Sequence, residues 1–378
     1  MDNRPGFGLY IHWPFCQAKC PYCDFNSHVS LKIDQSDWIS AYIREIERYG
    51  RESRDRVLNS IFLGGGTPSL MEPDTVARVL EAARAVWHAS NNIEITLEAN
   101  PTSVEAGRFR AFRDAGVNRV SVGLQALNNK DLKALGRLHS AEEGCAALEV
   151  AREAFERVSF DLIYARQGQT LADWRTELTQ ALTFATEHIS LYQLTIEPGT
   201  AFGDRHARGG LRGLPDDDLA ADMYQLTQEL TSSAEFGAYE ISNHAQPGAE
   251  SRHNLIYWQS GDWVGIGPGA HGRLTINGVR SATEAVRSPR QWLDAVSSGC
   301  GESSRTTLSE ADVYEERVMM GLRLSEGIPA SWVSDVEDKI CKINGLAEQP
   351  VVQLDGERLR ATAAGRPILN AVIRELLA

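Results

Sequence analysis

Tyr10-Ile11-His12-Trp13-Pro14-Phe15-Cys16-Gln17-Ala18-Lys19-Cys20-Pro21-Tyr22-Cys23-Asp24-Phe25-Asn26-Ser27 is the stretch on which the reading of this chain turns. It starts in a β-prone run, Phe7 to His12, and passes into a loop bounded by Pro14 and Pro21. Three of the chain's six cysteines fall here as C-x3-C-x2-C, at Cys16, Cys20 and Cys23. Thiolates this close are soft ligands that suit an iron–sulfur cluster or zinc. Zinc in a structural site takes four ligands, so a zinc knob here would need His12 or His28 as well. A third reading is three unrelated buried thiols. On a 4Fe–4S cubane, three thiolates leave one iron without a protein ligand, and that iron can chelate a small molecule.

Outward from the loop, strand-like and helix-like segments alternate. Asp34 is placed to cap a helix with Trp38, Ile39, Tyr42, Ile43, Ile46 and Tyr49 along one stripe. Val57 to Leu63 reads as a strand ending in Gly64, Gly65 and Gly66. Ile93 to Leu97, Val120 to Leu124, Val158 to Tyr164 and His188 to Thr195 read as further strands. Pro73 to His88, Val104 to Ala115, Ala141 to Phe155 and a segment capped by Thr170 read as helices between them. Six strands alternating with helices predict parallel βαβ units. Chemistry in such folds sits where the strands end. The residues found there are His12 with the thiols, Gly64 to Thr67, Glu98, Gln125, Asp161 to Tyr164, and 193–197. After about residue 200 the rhythm breaks, and 237–273 is rich in Gly, Trp, Tyr, His and Asn. The end of the chain reads as a strand (Val351 to Leu354), a turn at Asp355-Gly356, a strand (Arg358 to Ala361) and a helix (Pro367 to Leu377).

The chain has 378 residues, 42% hydrophobic and 24% charged, which fits a globular protein and not a disordered or fibrous one. Its net charge of −13 disfavours a broad nucleic-acid grip, so no nucleic-acid partner is expected. No run approaches a membrane span, and Met1 to Gly8 has no apolar signal core. A reduced, cytoplasmic setting without structural disulfides is expected.

C-x3-C-x2-C after the first of six βα units resembles the radical S-adenosylmethionine (SAM) superfamily. Y-I-H-W-P-F-C (Tyr10 to Cys16), G-G-G-T-P (Gly64 to Pro68), L-E-A-N-P (Leu97 to Pro101), G-L-Q (Gly123 to Gln125) and D-L-I-Y (Asp161 to Tyr164) resemble, more narrowly, the oxygen-independent coproporphyrinogen oxidase family. The resemblance implies a partial (β/α)6, TIM-like radical SAM barrel. It also implies a 4Fe–4S cluster on Cys16, Cys20 and Cys23 whose open iron binds SAM. Tyr10, Gly64, Gly65, Gly66, Thr67, Glu98, Gln125, Arg137 and Asp161 are the implied SAM contacts. A carboxylate can accept from ribose hydroxyls, and an arginine can pair with the SAM carboxylate. One departure is Ala165-Arg166-Gln167, where the family commonly has Gly-Leu-Pro.

Two features separate this chain from the oxidases within that family. Phe25 stands where they have a further cysteine, two residues after Cys23. His253-Asn254-Leu255-Ile256-Tyr257-Trp258 is the H-N-x-x-Y-W pattern of the sister branch, the haem chaperones. That branch implies haem as a third cofactor. A neutral imidazole is a good haem ligand, and Tyr257 and Trp258 offer flat faces to a porphyrin. His253 is the expected ligand, with His271 as the alternative. The implied function is haem binding and transfer to a haem-requiring acceptor, such as a respiratory enzyme met in transient contact with a membrane. The rival is oxidative decarboxylation of coproporphyrinogen. Whether SAM is turned over, which protein donates electrons, and whether the chain forms a homodimer are left open by the sequence. The expected organisation is a barrel at 1–200, a β-containing extension at 201–300 with the H-N-x-x-Y-W motif, and a helical, winged-helix-like domain at 301–378.

Overall fold

The computed structural model describes residues 5–30, 33–102, 107–333 and 337–378. Its parallel core is β1 (Phe7–Trp13), β2 (Val57–Gly65), β3 (His88–Ala99), β4 (Arg119–Gln125), β5 (Arg157–Tyr164) and β6 (His188–Gln193). Each pairs in parallel with the next, in sequence order, with helices in the connections. This is the partial (β/α)6 barrel expected. Strands covered on both faces need apolar residues at successive positions, and Leu9, Ile11, Leu63, Leu97, Val122 and Leu162 are fully or almost fully buried.

The helix Gln35–Ser53 forms as its pattern predicts. The Asp34 side chain accepts from the Ser36 N–H, and Trp38, Tyr42, Ile46 and Tyr49 face the sheet. Leu171–Ala181 begins with a capping box between Thr170 and Asp173. Of the expected helix Val104 to Ala115, Phe109–Asp114 is helical, and residues 103–106 lie outside the described residues.

Chain beyond residue 200 extends the same sheet at both edges. Asp262–Ile266 adds a seventh parallel strand against the free side of β1, pairing Tyr10 with Gly265. His271–Ile276, Val279–Ala285 and Glu302–Thr307 continue outward antiparallel. On the far edge, Asn243–Ala245 runs antiparallel to β6. The seventh strand escapes a periodicity search because it is five residues long and set among glycines.

The C-terminal part has a core of its own, with Val318, Leu322, Ile328, Leu359, Val372 and Leu376 at its centre. Strands Val352–Asp355 and Arg358–Ala361 form the expected hairpin, and the turn between them places Gly356 at φ +56°. It is tied to the barrel edge: Ser325 N–H donates to the Tyr239 carbonyl (2.9 Å) and Arg366 to the Glu240 carbonyl (2.8 Å).

Candidate cluster and SAM site

The thiols sit at the C-terminal end of β1, where a parallel fold places its chemistry. Cys16 is buried, while Cys20 and Cys23 are half-buried. The loop is held by its backbone, with Cys23 N–H donating to the Cys20 carbonyl (3.2 Å) and Ser30 N–H to the Cys16 carbonyl (3.2 Å). A chain of side chains spans it. Thr67 Oγ1 donates to Cys16 Sγ (3.4 Å), Asn100 Nδ2 to Thr67 Oγ1 (3.1 Å), and Arg137 to both Asn100 Oδ1 (2.6 Å) and Cys20 Sγ (3.5 Å). Burial raises the Cys16 and Cys23 thiols above their usual range, and the other thiols of the trio add to it. Binding iron relieves that, since a metal deprotonates its thiols outright.

The zinc reading lacks its fourth ligand. Both ring nitrogens of His12 are engaged, Nδ1 with the Tyr10 hydroxyl (3.0 Å) and Nε2 with the Asn26 carbonyl (2.9 Å). His28 is exposed on the outside of the loop. Among the described residues no three His, Cys, Asp or Glu side chains gather closely enough to hold a single metal ion. A cubane needs no such convergence, because each thiolate binds a different iron.

Of the expected SAM contacts, Thr67 and Arg137 touch thiols of the trio, and Gly65 and Glu98 touch each other. Gly65, at the end of β2, takes φ +108°, where a Cβ would lie 2.5 Å from the His12 ring. At Gly66 a Cβ would strike the Phe15 backbone at 2.6 Å. The triplet therefore lets β2 close against the thiol loop: Gly66 N–H reaches the Trp13 carbonyl (2.7 Å) and Thr67 N–H the Phe15 carbonyl (2.8 Å). Glu98 accepts from Gly65 N–H (3.1 Å), and Asp161 accepts from Ser121 Oγ (3.2 Å). Gln125 ends β4 in a left-handed conformation, φ +69°. The Nε of Arg137 is buried without a protein partner, so one donor of this guanidinium remains for a carboxylate. Buried acceptors and a spare buried donor beside the thiols fit an amino acid bearing a nucleoside.

Burial, with Asp161 nearby, pushes Glu98 up to about 8, although Gly65 N–H and Arg119 oppose the shift. A cationic ligand reverses it, because the ionised carboxylate then has a counter-charge. A cationic ligand seated beside Glu98 would therefore release a proton, and its affinity would rise with pH up to the free-state value. SAM is expected to bind about tenfold more tightly at about pH 8.5 than at about pH 6.5. Equilibrium dialysis with labelled SAM measures this, and a flat or falling profile refutes it.

The H-N-x-x-Y-W motif is not an open loop. Residues Arg252–Trp258 form a short helix capped by Ser251. His253 is 1% exposed. Its Nδ1 bonds Ser60 Oγ (2.7 Å) on β2, its Nε2 bonds the Tyr257 hydroxyl (2.7 Å), and its ring stacks on Phe62 at 5.1 Å. Burial pushes His253 down to about 3, with Arg119 adding to the shift and Glu94 opposing it. The imidazole is therefore neutral, as ligation requires, but neither nitrogen is free in this conformation. In this conformation an iron atom would reach Nε2 only after the Tyr257 hydroxyl has left it. Tyr257 and Trp258 are half-buried beside it. The alternative ligand, His271, is exposed at the start of the strand His271–Ile276, 4.0 Å from Glu284.

Comparison with known proteins bears on the same residues. A model described as "Radical SAM superfamily" matches residues 10–180, and one described as "HemN C-terminal domain" matches 308–368. A protein named "Heme chaperone HemW" from Mycobacterium tuberculosis is 34% identical over 100% of this chain and 96% of its own length. One of the same name from Haemophilus influenzae is 41% identical over 78% of this chain and 77% of its own. The chain belongs to the HemW family of radical SAM proteins. "Radical S-adenosyl methionine domain-containing protein 1, mitochondrial" from Bos taurus is 39% identical over 98% of this chain and 87% of that protein. In fold, the chain matches the structure titled "Coproporphyrinogen III oxidase (HemN) from Escherichia coli is a Radical SAM enzyme", with TM-score 0.82 and 21% identity over 99% of this chain and 90% of that one. A SAM-binding 4Fe–4S cluster follows from the family.

Sequence reasoning missed a buried polar layer below this site. Arg119 is 3% exposed and donates to Ser159 Oγ (2.9 Å). Glu94 is tied to Arg157 (2.6 Å) and to the His253 N–H (3.1 Å). Burial raises Glu94, but Arg119 and Arg157 outweigh it and hold the carboxyl below its usual range. Arg119 and Arg157 begin their strands and Glu94 lies within its own, where no motif directs attention. The Ala165-Arg166-Gln167 departure also becomes intelligible. Arg166 turns inward to Glu177 (2.6 Å) and Asp131 (2.8 Å), and Ala165 takes φ +57°. A left-handed alanine costs about 1–2 kcal/mol that glycine avoids. Ala165→Gly is expected to stabilise the fold by about 1 kcal/mol, after the loss of glycine's unfolded-state entropy. Urea unfolding tests it, and a lowered midpoint would contradict it.

Proposed function

We propose that this chain binds haem and delivers it to a haem-requiring acceptor protein, with a 4Fe–4S cluster and SAM as resident cofactors. The observation that carries this reading is the likeness to proteins named as haem chaperones, reaching 34% identity across 100% of this chain. The local structure supports it. The position that holds an additional cysteine in the oxidases is Phe25, 57% exposed on the outer side of the loop, and phenylalanine neither ligates metal nor carries a proton. The likeness to the oxidase structure, at 21% identity, bears on the fold alone.

In this reading the cluster supplies an open iron that chelates SAM. Arg137, Glu98 and Asp161 orient SAM, while the Thr67–Asn100–Arg137 chain holds the loop to the barrel. Haem iron is taken by His253 Nε2 once the Tyr257 hydroxyl has left it, with Ser60 still fixing the ring through Nδ1. His271 remains a second candidate because it is exposed and needs no rearrangement. A cytoplasmic setting is part of the proposal. No helix among the described residues is long and apolar enough to cross a membrane.

Anaerobic reconstitution with iron, sulfide and hemin, followed by transfer to an apo-haem acceptor, tests the function. Stoichiometric haem that moves to the acceptor supports it. Conversion of coproporphyrinogen to protoporphyrinogen by the purified protein would replace it with the oxidase reading.

A further inference from the structure

Two neighbouring strands of the barrel open with the same three residue types. Arg119-Val120-Ser121 begins β4, and Arg157-Val158-Ser159 begins β5. The strands run in register, Arg119 opposite Arg157 and Ser121 opposite Ser159. Side chains alternate along a strand, so Arg119 and Ser121 share one face with Arg157, Ser159 and Asp161. On β3, Thr96 lies opposite Arg119 and Glu98 opposite Ser121. The two arginines meet different partners. Arg157 holds Glu94 (2.6 Å) and the Ala249 and Glu250 carbonyls (2.9 Å each). Arg119, buried below the rim, donates to hydroxyls alone, Ser159 Oγ (2.9 Å) and Thr96 Oγ1 (3.4 Å). Among the described residues it is in no ion pair.

A buried guanidinium without a carboxylate partner is costly, and an apolar residue of similar volume would serve stability better. The charge therefore calls for another use. In this lower layer two arginines, Arg119 and Arg157, stand against one carboxylate, Glu94. His188 and His253 add no charge, because burial keeps both imidazoles neutral. Toward the rim lie two carboxylates, Glu98 and Asp161, and hydroxyls lead from Arg119 to one of them. Ser159 Oγ donates to Ser121 Oγ (2.9 Å), and Ser121 Oγ to Asp161 Oδ1 (3.2 Å). Burial raises both carboxyls, and Asp161 raises Glu98 further. Arg119 opposes the rise at both, aided by Gly65 N–H at Glu98 and by Ser190, Ser121 and Arg137 at Asp161. The phenols of Tyr10, Tyr192 and Tyr257 also face this pair, and they stay protonated, chiefly through burial.

We infer that Arg119 is a positioning residue of the SAM site: through Ser159 and Ser121 it fixes the Asp161 carboxylate, and its unpaired charge keeps Asp161 and Glu98 available to a cationic ligand. The inference rests on the reading of this rim as the SAM site. SAM carries a sulfonium and an ammonium against one carboxylate, so its net charge is positive. Arg119 stands at the start of β4 and the rim at its end, so its charge acts more on the two carboxylates than on a ligand beyond them. Its part is to act through those side chains, not to touch SAM.

The test is equilibrium dialysis of labelled SAM against the anaerobically reconstituted protein, at about pH 6.5 and about pH 9, with SAM counted per cluster. Arg119→Met removes the charge and keeps the bulk. Without the charge both carboxyls hold their protons more tightly, and a midpoint raised by about one pH unit costs affinity only where they are protonated. SAM should therefore bind this variant about tenfold more weakly than the wild type at about pH 6.5, and only about twofold more weakly at about pH 9. Arg119→Lys keeps the charge and should stay within about threefold of the wild type at both. Ser121→Ala keeps Arg119 but cuts the link to Asp161, and should weaken SAM at least about threefold at about pH 6.5. Losses of one size at both pH values in Arg119→Met, no rescue by lysine, or full affinity in Ser121→Ala would each overturn the inference. If the methionine variant does not fold, the lysine and alanine variants decide it. Failure of SAM to bind the wild type at either pH would instead overturn the reading of the rim beneath it.

Discussion

Cys20→Ala protein, reconstituted anaerobically with iron and sulfide, is expected to retain less than about a tenth of the wild-type iron and to lose the broad visible absorption of the cluster. The loop offers three thiolates, and no other described side chain stands ready to replace one. His12 has both nitrogens engaged within the protein, and His28 faces outward. A methyl group cannot coordinate iron, and two thiolates do not hold a cubane against solvent. Cys20 is the informative choice because it is half-buried and the Arg137 guanidinium already reaches it at 3.5 Å. Its removal therefore disturbs packing less than removal of buried Cys16. Cys300→Ala is the control, since Cys300 is exposed and lies outside the C-x3-C-x2-C segment. Equal iron in the two variants, or zinc in the wild type, would refute the assignment of the loop.

The second large effect concerns His253. His253→Ala is expected to abolish the low-spin shift of bound hemin while leaving cluster iron intact. The alanine also leaves a cavity and unpairs Ser60 and Tyr257, at a stability cost of about 2–4 kcal/mol. Loss of haem alone would therefore be ambiguous. Tyr257→Phe resolves it. That substitution keeps the ring and removes only the hydroxyl that occupies Nε2 at 2.7 Å. A net hydrogen bond of about 0.5–1.5 kcal/mol no longer competes with iron, so hemin should bind about 2- to 10-fold more tightly. A structural histidine would show no such gain. If Tyr257→Phe leaves hemin affinity unchanged while His271→Ala removes the spectral shift, the exposed histidine is the ligand.

The two predictions differ in how much of each site the chain displays in one dimension. The thiol loop is legible because its ligands are neighbours in sequence and follow directly on a strand. Gly64 to Thr67, Glu98, Gln125 and Asp161 are legible for a related reason, since parallel topology delivers every strand end to one rim. The structure adds why the glycines are there: Gly65 and Gly66 admit His12 and Phe15, a contact between strands more than fifty residues apart in the chain.

The motif at 253–258 shows the opposite case. Its residue types announce a histidine with two aromatic neighbours, but the short helix that brings His253 against Tyr257 is seen only in the structure. Nothing local reveals that the helix lies against Ser60 and Glu94, so exposure and hydrogen bonding were decided by distant strands. Arg119 and Glu94 were invisible for the same reason, because a buried charge is recognised by its surroundings and not by its neighbours in the chain.

Amino-acid order alone settled the alternation of strands and helices and the place of the thiol trio at a strand end, since each depends on periodicity or short spacing. Tertiary structure alone decided which polar groups are buried, which imidazole is free and which surface beside the thiols is open. Those properties depend on desolvation and contact between segments that only the folded chain brings together.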